Sequence, residues 1–170
     1  MENGILIQLI GFIGFLFIVA SVQKNKRSFT LFLQLISALF FTLHFALLGA
    51  WTGAVMNILA ALRAYIFNLR GKRRFFNHPI ILYLFIDLFW IGGLVTWVGY
   101  LSILPALSLT LESFALWSKK TKYLRLILLS ATIPWMIYHF SVSSYAGIAT
   151  ESFMIISIIT AIVRFDILKR

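Results

Sequence analysis

Cysteine is absent from the 170 residues, which excludes disulfides, thiolate nucleophiles and cysteine metal sites together. Charge is scarce: 12% of the residues are charged, where a soluble domain carries about 25%. Negative charge is scarcer still, with five Asp and Glu against fifteen Lys and Arg. The chain has no Asn-x-Ser/Thr acceptor, no HExxH, no GxSxG, no Walker loop and no GxGxxG. Its three His residues are dispersed and give no local metal-ligand spacing. These gaps argue against an enzyme and point to no cofactor or metal site.

What the chain has instead is apolar surface. Hydrophobic residues make up 61% of it, and the mean hydropathy is +0.96. A water-soluble domain needs a polar shell that this composition cannot supply. The lipid bilayer is therefore the expected surrounding. An excess of positive charge can signal nucleic-acid binding. Here the basic residues sit in short clusters between apolar runs, as cytoplasmic anchors of membrane proteins do, so nucleic acid is not an expected partner.

A membrane-spanning helix needs about 20 mostly apolar residues. Reading between the charges gives seven spans, at 4–22, 30–49, 52–69, 80–97, 100–117, 124–142 and 146–165. The N-terminal run lacks a basic flank before it and is expected to be a retained first helix rather than a cleaved signal. Lys24, Lys26 and Arg27 follow the first span, and Arg70, Lys72, Arg73 and Arg74 the third. Lys119, Lys120, Lys122 and Arg125 follow the fifth, and Arg164, Lys169 and Arg170 close the seventh. These are alternate loops, so fourteen of the fifteen basic residues share one side. The positive-inside rule makes that side cytoplasmic, with the N-terminus outside and the C-terminus inside.

The chain also repeats itself. At an offset of 95, Leu16 meets Leu111, Ala20 meets Ala115, Lys24 meets Lys119, Phe40 meets Trp135 and His44 meets His139. With one residue dropped in the outer turn, Gly53 meets Gly147, Asn57 meets Glu151 and Arg70 meets Arg164. The expected fold is thus an all-α membrane protein of two parallel three-helix repeats, 1–77 and 100–170, joined by a linker helix within 78–99. Parallel repeats are related by an axis along the membrane normal and place a solute pathway between them.

His44-Phe45-Ala46-Leu47-Leu48-Gly49 followed by Arg63, with Trp135-Met136-Ile137-Tyr138-His139, Glu151-Ser152 and Ile162-Val163-Arg164-Phe165, resembles the YgjV family of bacterial inner-membrane proteins. The resemblance covers nearly the whole chain and implies that location. The three-one-three plan resembles the SWEET and SemiSWEET sugar transporters, whose sites join an aromatic residue of a repeat's second helix to an Asn of the third. Asn57 and Trp135 match that pattern, whereas Phe40 and Glu151 depart from it. The Pro-Gln motif of those transporters has no counterpart in the first span.

Ionisable groups inside spans are costly and mark function. His44, Asn57, His139 and Glu151 fall at one level, roughly 7–8 Å below the outer helix ends at 1.5 Å per residue. Phe40 and Trp135 each lie one turn from a His on the same helix face. His44, Asn57, Trp135, His139 and Glu151 are therefore the candidate contacts for a small polar solute. The alternative is that they lock the bundle and that the protein is a scaffold, binding partners through its basic face. Arg63 is expected to snorkel to the basic surface or to pair with Asp87 or Glu112. Its helical phase places it on a different wall from Asn57.

Overall fold

The computed structural model describes residues 2–22, 27–70, 72–118 and 120–168. Lys24, Lys26, Lys119, Lys169 and Arg170 lie outside the described residues, as does the side chain of Arg27. Seven α-helices make up the described chain, which contains no strand: α1 (Glu2–Val22), α2 (Arg27–Leu47), α3 (Trp51–Asn68), α4 (Ile80–Val95), α5 (Ile103–Trp117), α6 (Thr121–Ser141) and α7 (Tyr145–Ile162). A short 3₁₀ turn, Tyr100–Ser102, leads into α5, and a wider π turn, Val163–Ile167, follows α7. Each helix coincides with one predicted span to within a few residues. The 3₁₀ turn explains why the predicted 100–117 span starts as a helix only at Ile103.

Six helices form a closed ring in which α1 packs on α2, α2 on α3, α3 on α5, α5 on α6, α6 on α7, and α7 back on α1. The seventh, α4, lies outside the ring against α3 and α5. Phe45, Met56, Phe85, Phe89 and Leu109 are buried between helices, yet Leu6, Leu16, Leu62, Leu94 and Val95 are 52–80% exposed. Apolar side chains exposed over the whole outer surface require a hydrocarbon surrounding. Gly4–Ser21, Tyr100–Trp117 and Tyr145–Ile167 are long and apolar enough to cross a membrane, and Phe32–Leu47 and Ile80–Val95 are shorter apolar stretches. The remaining two, α3 and α6, are less apolar because they hold Asn57 and Arg63, and Lys122, Arg125 and His139, respectively.

The turns away from the basic loops share one geometry. Ala50 N–H donates to Phe45 O at 2.9 Å, and Ser144 N–H donates to His139 O at 2.9 Å. The same offset relates Leu48→His44 to Val142→Tyr138, Gly49→Ala46 to Ser143→Phe140, and Ala54→Ala50 to Ile148→Ser144. Gly49 (φ 72°) and Ser143 (φ 54°) hold the left-handed position that ends each preceding helix. Glycine takes that conformation freely; a serine there costs roughly 1–2 kcal/mol. These bonds correct the expected alignment. The offset is already 94 within α2 and α6, so His139 corresponds to Phe45 and Tyr138 to His44. Hydrogen bonding in the turn sets the register, and matching one His to the other misplaced it by a residue.

Candidate functional site

The ring encloses a cavity of about 530 Å³. Residues 94 apart line it in pairs: Ile18 with Glu112, Ala38 with Thr132, Phe41 with Trp135, Phe45 with His139, Asn57 with Glu151, and Ala60 with Met154. The lining runs on to Phe32, Asn68, Leu116 and Leu128, toward the end that carries the basic residues. At the other end Tyr138 Oη accepts from Gly53 N–H at 2.9 Å, tying α6 to α3. His44 Nε2 lies 2.8 Å from Ser144 Oγ, tying α2 to the start of α7, and His44 Nδ1 lies 2.8 Å from Ile7 O of α1. Beyond Tyr138, a second recess is lined by Leu48–Thr52, Val98–Ser102 and Ser141–Ser143. Tyr138 and Phe45 stand between the two spaces.

Asn57, Trp135, His139 and Glu151 meet at the cavity. The His139 ring stacks on Phe45 at 5.6 Å and 7°, and on Trp135 at 5.2 Å and 11°. Its Nε2 lies 3.8 Å from Glu151 Oε1, and its buried Nδ1 has no hydrogen-bond partner. Asn57 Nδ2 donates to Gly53 O on its own helix, leaving its side-chain oxygen free to accept. The hydroxyls of Ser37, Thr132 and Thr150 likewise donate to Gly14 O, Leu129 O and Ala146 O. A hydroxyl has one proton, so only acceptor capacity remains for the cavity.

Arg63 is buried and reaches from α3 to α5. It donates to Glu112 Oε2 at 2.7 Å, and to Leu109 O and Ser113 Oγ at 2.9 Å each. Its Nε is buried without a partner. Neutralisation inside the bundle thus replaces snorkelling, and the partner is Glu112 rather than Asp87. Asp87 is exposed on the outer side of α4 and has no hydrogen bond or ion pair among the described residues.

Two further expectations are corrected. His44 does not line the cavity; it is fully buried on the α1 side of α2, and Phe40 of the same face stacks on Phe17 of α1. The cavity face of α2 lies one residue further on, at Phe41 and Phe45. Arg63 does line the cavity that Asn57 lines, because the space extends along the bundle and a long side chain can turn into it from an adjoining face. Phe41, Phe45, Thr132, Thr150 and Tyr138 escaped the sequence reading. An offset of 94 carried back from Trp135 and His139 would have found both Phe residues. The hydroxyls had no signal, since Ser and Thr are scattered through every span.

A helical ring with an apolar exterior and buried ionisable groups defines an integral membrane protein. The chain belongs to the Imp-YgjV family of bacterial inner membrane proteins, whose family model matches residues 5–169. No curated protein matches the chain. No solved structure matches it.

Proposed function

We propose that this inner-membrane protein is a small-solute permease in which seven helices cross the bilayer, with the basic loops and C-terminus cytoplasmic. Two parallel three-helix units, α1–α3 and α5–α7, flank the cavity, and α4 links them. The observation that carries this reading is the paired lining: both units supply the wall at register-equivalent positions, as a binding site on a pseudo-two-fold axis requires. The outer end is clasped twice, by His44 with Ser144 and by Tyr138 with Gly53, while the lining continues toward the basic end. That arrangement is an inward-facing state, and rocking one unit against the other would break the clasps and open the outer recess. Proteoliposomes holding the purified chain should take up at least one solute from a panel of labelled sugars, amines and carboxylates. Flux equal to that of empty vesicles for all three classes would overturn the reading.

A further inference from the structure

We propose that the cavity selects a small monovalent organic cation, an ammonium or guanidinium, and takes it up in exchange for a proton at Glu151. This rests on the permease reading and adds the class of solute. Charge comes first. Among the lining residues Arg63 is matched by Glu112 at 2.7 Å, which leaves Glu151 as the one lining carboxylate with no Arg or Lys beside it; its basic neighbour is His139, which carries charge only when protonated. His139 Nε2, 3.8 Å away, is beyond hydrogen-bond reach. An isolated charge in a water-poor interior is costly, so one positive charge must balance it. A proton fills that role in the empty site and the solute's cation in the loaded one. The exchange is balanced: the carboxylic acid gives up H⁺ to water as the solute's cation takes its place.

Hydrogen-bond polarity around Glu151 is compatible with a cation. Ser37, Thr132 and Thr150 spend their protons on backbone carbonyls, and Asn57 spends an amide proton on Gly53 O. At these four residues the wall offers acceptors, while Arg63 Nε and His139 Nδ1 stay buried without a partner. An ammonium, with donors only, is met by these acceptor oxygens together with the Glu151 carboxylate. Phe41, Phe45 and Trp135 add aromatic rings on which a cation is held by the ring quadrupole.

The groups facing Glu151 are His139 from α6, the paired Arg63 and Glu112 from α3 and α5, and Asn57 and Tyr65 from α3. From Gly4 to Val22, α1 has no titratable residue. Proton competition thus runs through Glu151, with His139, the Arg63–Glu112 pair and Tyr65 as the titratable groups on the same cavity.

The test uses the full chain in detergent micelles and three near-isosteric probes: 2-phenylethylammonium, 2-phenylethanol and phenylacetate. Calorimetry should show the cation binding at least about tenfold more tightly than the other two. It should also show release of about one proton, read from the dependence of the heat on the buffer's ionisation enthalpy. Glu151→Gln should abolish cation binding and proton release while Glu151→Asp keeps part of both, and Asn57→Leu should weaken the cation several-fold. Equal binding of the three probes, or cation binding without proton release, overturns the proposal. Should Glu151→Gln fail to fold, the wild-type probe selectivity and proton release still decide. Uptake of a neutral or anionic solute into proteoliposomes, unaffected by Glu151→Asp, would sink the cation and leave the permease. Cation binding with no flux would do the opposite.

Discussion

The two halves of the ring share a backbone plan and differ in chemistry. The turns away from the basic loops repeat the same four backbone hydrogen bonds. At matching cavity positions, however, the first half presents Ile18, Phe41, Phe45 and Asn57, and the second presents Glu112, Trp135, His139 and Glu151. Arg63 is the first half's one charged contribution to the cavity, and it is bonded to the second half. Positions 94 apart thus share the cavity wall, and the differences between them supply its charge. A fully symmetric pair of carboxylates at one level would repel; Asn57 opposite Glu151 gives an acceptor on both sides with a single charge.

Substitutions can break this comparison. The largest effect is expected for Arg63→Ala, which strands Glu112 in the interior and removes the crossing from α3 to α5. Loss of one partner of a buried pair costs about 3–5 kcal/mol. Unfolding in detergent should register it, and the double variant Arg63→Met with Glu112→Leu should recover most of the loss. Failure of the double variant to recover would mean that the bonds to Leu109 O and Ser113 carry the stability. Next comes Gly147→Ala. Its methyl group would overlap the His139 ring, displacing one of the second half's cavity groups at a cost of about 1–3 kcal/mol. The matching Gly53→Ala would press on Phe45 at 2.9 Å and Tyr138 at 3.1 Å, so it should loosen the outer clasp as well.

Smaller effects sharpen the comparison between the two clasps. Tyr138→Phe removes the hydroxyl that accepts from Gly53 N–H and also meets the Thr52 side chain, an expected loss of about 1 kcal/mol. Labelling of a cysteine placed at Thr52 should become faster in that variant as the outer end opens; an unchanged rate would show that Phe45 packing alone keeps it shut. The smallest effect is expected at Asp87, exposed on α4 with no partner among the described residues. Asp87→Leu should leave stability unchanged or raise it slightly, because a lipid-facing carboxylate gains nothing from its surroundings. Marked destabilisation would reveal that another helix covers that face.

Much of this was legible in the chain. The seven helices follow from apolar runs interrupted by charge, and their ends were placed to within a few residues. Asn57, Trp135, His139 and Glu151 were found because polar groups among apolar neighbours stand out. Where the reading slipped, it slipped by the angle of a single residue. His44 and Phe45 are adjacent, and 100° of helix rotation separates a clasp to α1 and α7 from a cavity wall. The single-residue change of offset went wrong for the same reason, since two His residues align in sequence more conspicuously than a Tyr with a His.

The sequence by itself determined that this chain lies in the membrane, how many helices it makes and where they end. Burying apolar length and keeping cations out of hydrocarbon are local demands, satisfied segment by segment. Only the tertiary structure decided which face of each helix turns inward, that Arg63 meets Glu112, and that Glu151 faces the cavity beside His139. Those outcomes depend on the rotation of seven packed helices against one another, and no single segment contains that information.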